Sequence, residues 1–223
     1  MSPARSSSPE ATAGAPGVGA LDALAERLLA AAPHLRVAPV ASGPEREALF
    51  RLRRRHVVER GWARPEDLTG GLERDRYDED AVHVAAYDAD VLVGTVRLVL
   101  PSPGCRLPVE ADFGLDVEPR GAVVEAGRLV VADAYRGDPA HRAWGALFGR
   151  AWLETRAAGY RVLAGAASPG MVARLRALGL PFEILGPTRR HWNQDHHPVR
   201  LDPATGDHPG WYGDGAPPLT APA

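Results

Sequence analysis

Asp75, Asp78, Arg97, Glu125 and Arg128 are the residues of this chain whose types and settings point to chemistry. Arg97 stands inside the apolar run Val-Leu-Val-Gly-Thr-Val-Arg-Leu-Val-Leu (91–100), and Glu125 and Arg128 stand inside a second apolar stretch, 122–132. An unpaired guanidinium in a buried sheet costs several kcal/mol, roughly, so carboxylates must come to meet it. Asp75 and Asp78, and then Glu125 and Arg128, repeat one i, i+3 spacing. Such a set supports proton transfer by a carboxylate, with arginines holding charge beside it. It equally supports a structural ion network, and spacing alone leaves both open.

The elements that must position these residues follow from apolar periodicity. Leu21, Leu24, Ala25, Leu28 and Leu29 mark an amphipathic helix over 20–33. A first strand over 35–40 and an arginine-rich helix over 44–60 come next, ended by Gly61 and followed by Trp62. Residues 82–87 and 91–100 pair as a hairpin across Asp88-Ala-Asp90. A Pro/Gly loop carrying Cys105 leads to the strand 122–132. A helix over 143–156, a strand over 161–166 parallel to its predecessor, and a helix capped by Ser168-Pro169 and stopped by Gly179 complete the centre. Residues 182–185 and 199–201 read as terminal strands. This order predicts a mixed α/β domain on a single sheet. Trp144, Phe148 and Trp152 share one helical stripe and read as core.

At 223 residues the expectation is one domain, with ordinary apolar (45%) and charged (24%) fractions. Its bounds are 20–202, with 20–33 as an accessory helix, 1–19 as a disordered N-terminal segment and 203–223 as a Pro/Gly-rich tail. A net charge of −2 gives no basic surface for nucleic acid. No apolar run suits a signal peptide or a membrane span, so a cytoplasmic location is expected. Cys105, the single cysteine, excludes an internal disulfide and a cysteine-built zinc site. The histidines of 191–197 match no zinc spacing, and no metal is expected. No G-x-G-x-x-G follows a strand and no phosphate-binding P-loop is present.

Four segments carry a family resemblance: Leu52-Arg-Arg-Arg-His-Val-Val-Glu-Arg-Gly-Trp62, Glu73-Arg-Asp-Arg-Tyr-Asp78, Val93-Gly-Thr-Val-Arg-Leu98 and Val124-Glu-Ala-Gly-Arg-Leu129. Together they resemble the acyl-homoserine-lactone synthases and their relatives, the N-acyl amino acid synthases, of the GCN5-related N-acetyltransferase (GNAT) superfamily. The likeness spans about residues 35–202, and 178–187 is similar to the N-acyl amino acid synthase side. It implies a mostly antiparallel mixed sheet with helices on both faces and a bulged central strand. It also implies acyl transfer from an acyl-carrier-protein or coenzyme A thioester to the amine of a small molecule, with no tightly bound cofactor. Carried over, Arg97 and Glu125 become catalytic, while Arg53, Trp62, Asp75, Asp78 and Arg128 become the acceptor and charge network. His191 becomes a candidate channel residue. The stretch Tyr135–Gly145 lacks the glycine pair with which coenzyme A-dependent members cradle a pyrophosphate, and Asp138 would oppose a phosphate there. That departure favours a carrier-protein donor. The family's Phe position falls on His56 or Val57.

Amide formation from a thioester needs a neutral amine, a proton acceptor and donors for the tetrahedral oxyanion. Glu125 is the expected base, directly or through one water. In a regular strand Glu125 and Arg128 face opposite sides, so a bulge is predicted at Gly127 to bring them together. The backbone N–H groups of Val130 or Val131 are the expected oxyanion donors. Two alternatives stand beside this reading: a small-molecule N-acetyltransferase using acetyl-CoA, and a non-catalytic binding module of the same fold.

Overall fold

The computed structural model describes residues 16–41, 43–137, 141–180 and 182–204. Segment 1–15, Asp138 and segment 205–223 lie outside the described residues, so the expectations placed on them are not addressed. The elements run α1 (Pro16–Ala30), β1 (Leu35–Pro39), α2 (Gly43–Glu59), β2 (Val82–Asp88), β3 (Val91–Val99), α3 (Pro108–Phe113), β4 (Val123–Val131), α4 (Asp133–Arg136), α5 (Arg142–Ala157), β5 (Val162–Ala167), α6 (Pro169–Ala177), β6 (Phe182–Ile184), β7 (Arg189–His191) and β8 (Gln194–Leu201). The strands form one sheet in the order β1-β2-β3-β4-β5-β8-β6, with β7 hairpinned onto β8. Among the described residues only β4 and β5 run parallel; every other pairing is antiparallel.

Helices cover both faces. On one face α1, α5 and α6 bury Leu21, Leu28, Leu147, Trp152 and Leu175 against Val84, Val96, Leu98, Val124 and Leu163 of the sheet. On the other, α2 sets Leu49 on Ala85 and Tyr87, and α3 sets Val109 and Phe113 on Val99, Val123 and Val162. Local signals act as read: Ser168 Oγ accepts the Met171 N–H at 3.3 Å, and Gly179 closes the last turn of α6 at φ +66°.

Several boundaries move. The helix expected from residue 20 starts at Pro16, so 16–19 are helical rather than disordered. It is also no accessory: Leu21, Ala25 and Leu28 are essentially fully buried, and α1 lies so close to α5 that a side chain on Gly149 would meet the Ala25 carbonyl at 2.6 Å. The loop after β3 contains α3, a six-residue helix. The histidine-rich stretch is a hairpin, β7–β8, whose tip residues Trp192 and Asn193 both have positive φ. Pairing across two positive-φ residues is the type I′ pattern that matches strand twist.

The decisive feature is the parting of β4 from β5. They are in register only over Val123–Glu125 with Val162–Ala164, whereas β4 stays on β3 up to Val131. Gly165 sits at the point of divergence, where any Cβ would lie 2.6 Å from the Ala126 carbonyl oxygen. Beyond it the β5-side backbone of β4 faces open space.

Candidate active site

Three arginines and three carboxylates form a closed network under this opening. Arg53, from α2, is bidentate on Asp78 (2.7 and 3.0 Å) and donates its Nε–H to Glu73. Arg97 Nη1 lies 2.7 Å from Asp75 and 3.1 Å from Asp78. Arg128 joins Glu73 (3.0 Å) to Asp75 (2.9 Å). Each arginine bridges two carboxylates, and each carboxylate meets two arginines, so the buried charges cancel locally. Burial acts to raise the Asp78 carboxyl, but the hydrogen bonds and charge of Arg53 and the charge of Arg97 hold it well below the usual carboxylate range. Burial opposes the Arg53 charge as well, yet Asp78 and Glu73 raise its pKa.

Glu73 was missed as a site residue by sequence reasoning, although it is 2% exposed and central to the network. The available signal was the alternation Glu73-Arg-Asp-Arg, in which Glu73 shares the spacing of two with Asp75.

Glu125 stands apart from this network, so the alternative of a structural ion network does not extend to it. Its Oε2 accepts the Val109 N–H at 2.6 Å, a donor left free in the first turn of α3. Glu110 fixes that turn by accepting from Leu107 N and Val117 N, each at 2.9 Å. Burial pushes the Glu125 carboxyl up to about 8; the Val109 N–H and the charges of Arg97 and Arg128 restrain the rise, and Asp112 adds to it. With Oε2 held as an acceptor, a proton on Glu125 resides on Oε1.

The bulge is present, displaced by one residue. Thr95 pairs with Val130 and Arg97 with Gly127, so β4 carries one extra residue between them. Arg128 itself, not Gly127, takes the positive φ of +53°. The phase change turns Arg128 to the Arg97 face, where both grip Asp75. Gly127 lies beside Glu125: a Cβ there would make ordinary contact with Oε1 at 3.6 Å. Downstream, Ala132 donates its N–H to Val93 at 2.8 Å. Strand alternation then aims the Val130 N–H at β3 and the Val131 N–H at the opening, which removes Val130 from the pair of expected donors.

A cleft of about 270 Å³ runs through the opening and has two unlike ends. The end on the α2/α3 face is lined by Arg53, Glu73, Glu125, Arg128, Trp62 and His191. The end on the α5/α6 face is lined by Trp144, Phe148, Leu163, Met171, Leu175 and Leu201. Trp144 and Phe148 stack at 5.4 Å and thus wall the cleft as well as the core. Trp62 packs edge-on against His56 at 5.1 Å. Trp192 lies over the Arg128 guanidinium at 4.9 Å, and Asn193 donates to the Gly61 carbonyl at 3.2 Å, so the β7–β8 hairpin roofs the charged end. Among the described residues, no group of three or more His, Cys, Asp or Glu side chains is arranged to hold a metal ion. Nor is any helix there long and apolar enough to cross a membrane.

Residues 52–144 match the family model described as an acetyltransferase (GNAT) domain. Among solved structures, the chain is similar to TofI, in a ternary complex with an inhibitor and MTA, at 25% identity and TM-score 0.61, covering 76% of this chain and 91% of that one. It shares its fold with MesI, a CoA-dependent acyl-homoserine lactone synthase, at 24% identity and TM-score 0.60 over 75% of this chain and 89% of that one. It shares its fold also with FeeM, an N-acyl amino acid synthase from uncultured soil microbes, at 16% identity and TM-score 0.60 over 79% and 92%. No curated protein sequence matches.

Proposed function

We propose that this chain, an N-acyltransferase of the GNAT fold, moves an acyl group from a pantetheine thioester to the amine of an amino acid or related small molecule. The observation that carries the reading is the two-ended cleft through the β4–β5 opening, with charge at one end and apolar walls at the other. The apolar end takes the acyl chain, and the charged end takes the amine. The strand edges between them suit the amide-bearing pantetheine arm, which pairs with backbone as an added strand does.

The acyl carbon then lies at the bulge. The amine nitrogen attacks the thioester carbonyl, forming C–N, and the oxygen gathers charge beside the Val131 N–H. The C–S bond breaks as Glu125 gives its Oε1 proton to the leaving thiolate, and the carboxylate so formed takes a proton from the nitrogen, directly or through one water. The network of Arg53, Glu73, Asp75, Asp78, Arg97 and Arg128 fixes the acceptor end without spending Glu125 on an ion pair. Trp62 walls that end.

The thioester is carried by acyl carrier protein or by coenzyme A. The missing glycine pair in Tyr135–Gly145 favours the carrier protein, and the fold shared with CoA-dependent MesI supports coenzyme A. The test is mass spectrometry of organic extracts from cells expressing the wild type beside Glu125→Gln. New N-acyl species confined to the wild type are expected, and their fragments name chain and amine. Acyl transfer is then reconstituted with each donor in turn. Extracts identical to the variant's, together with no transfer from either donor in vitro, would falsify the reading.

A further inference from the structure

We propose that His191, oriented by Asp112, accepts the proton that the acceptor's ammonium group must lose before it can attack. This rests on the acyl-transfer reading of the cleft and adds a second proton-handling residue to it.

His191 is the last residue of β7 and lines the charged end of the cleft together with Glu125 and Asp112. Its Nδ1 lies 3.6 Å from Asp112 Oδ2. That is an ion-pair distance, and such contacts tighten when substrate binds. The approach is built in: Arg189 on β7 donates to the Asp112 carbonyl at 3.3 Å, tying the hairpin to α3. The same short helix supplies the Val109 N–H that clamps Glu125, so α3 sets both groups relative to one another. Neither His191 nor Asp112 belongs to the arginine–carboxylate network, and their side chains are 25% and 41% exposed. The core therefore does not account for them.

The groups facing the imidazole are Asp112 from α3, Arg128 from β4 and His196 from β8, whose ring is edge-on at 5.7 Å. Burial, Arg128 and His196 lower the imidazole pKa, and Asp112 opposes them. The ring is accordingly a neutral base at pH 7. With Nδ1–H turned to Asp112, the free lone pair is on Nε2. Glu125 is in the opposite state there, because its carboxyl remains mostly protonated below about pH 8. Small amines arrive as ammonium ions, so the first proton needs an acceptor that Glu125 seldom offers at neutral pH.

The proton balance closes. His191 Nε2 takes one proton from R–NH₃⁺ and releases it to solvent along its exposed edge. The amine attacks, Glu125 gives its Oε1 proton to the departing thiolate, and the carboxylate so formed takes the second proton from nitrogen. The sum is ammonium plus thioester giving amide, thiol and one proton.

The experiment measures kcat/KM against pH for the full chain, with the amine and thioester the wild type is found to use. His191→Gln is expected to lose about a hundredfold at pH 7. The deficit should shrink as pH approaches the amine's own pKa, where free amine no longer needs a base. Imidazole added to His191→Gly should restore part of the rate. Asp112→Asn removes the charge that raises the imidazole pKa, so its acid limb should move to lower pH with the melting temperature unchanged. A His191→Gln deficit that is absent at pH 7 overturns the proposal. So does one constant across pH and untouched by imidazole, which marks a structural role. Wild-type protein that transfers no acyl group overturns the acyl-transfer reading and this inference with it.

Discussion

Replacing Glu125 by Gln should make the protein more stable and nearly inactive, and the gain should depend on pH in a defined way. The side chain is 5% exposed, and its carboxyl is pushed up to about 8. An unfolded Glu ionises near pH 4.5, roughly. Between these values the unfolded chain gives up a proton that the folded chain must keep. The contribution of Glu125 to stability is therefore fully present below about pH 4.5, falls as pH rises, and levels off above about 8. At pH 7 the accumulated loss is about 3 kcal/mol as an upper bound, from 1.36 kcal/mol per pH unit. Gln keeps the shape of the protonated acid and an oxygen for the Val109 N–H at 2.6 Å, yet has no proton to lose. The variant's melting temperature should match the wild type near pH 4.5 and exceed it by up to roughly 6–12 °C at pH 7, with a somewhat larger gap at pH 9. Turnover of the pair, measured with the same thioester, should fall by about 10²–10⁴ in the variant. Calorimetry across this pH range decides the point. A gap that is constant with pH, or a variant less stable at pH 9, refutes the raised pKa and the mechanism drawn from it.

Arg97→Ala removes the cation between Asp75 and Asp78 and strands buried charge; a loss of about 3–5 kcal/mol is expected in urea unfolding, along with lost turnover. Gly165→Ala sets a methyl 2.6 Å from the Ala126 carbonyl and must push β4 off β5. About 1–3 kcal/mol of stability should be lost by thermal denaturation. Leu175→Trp fills the apolar end of the cleft. In a competition assay it should shift preference toward the shorter of two acyl donors by roughly 10–200-fold, with the shorter donor's own rate little changed.

The sequence carried the fold well where periodicity and end signals agree. The hairpin 82–99, the α5 stripe and the Ser168–Gly179 helix all formed near their expected bounds. The charge network was legible for a related reason, since an arginine in an apolar strand demands partners. Glu73 escaped because it lies in a turn-rich stretch with no periodicity to mark it as buried. The α3 helix escaped because six residues are too few for a periodic signal, and the β7–β8 hairpin because β7 is a three-residue strand of Arg and His that looks like loop. The placing of the bulge followed glycine's tolerance of positive φ. Instead the network of Glu73 and Asp75 holds Arg128 in that conformation, a tertiary pull no local rule contains. The separation of Glu125 from Arg97 was likewise a matter of which donor lay nearer, and that donor belonged to the unrecognised helix.

The parted strands make the sheet two half-sheets, β1–β4 and β5-β8-β6, joined by a seam of three registered pairs. The seam ends at Gly165, where the two halves part. On the proposed function, a guest whose backbone-like arm lies in the wedge would complete the ladder on both sides. On that same function, binding and folding draw on the same hydrogen-bonding edges: the sheet is one strand short, and the donor's arm would supply the strand.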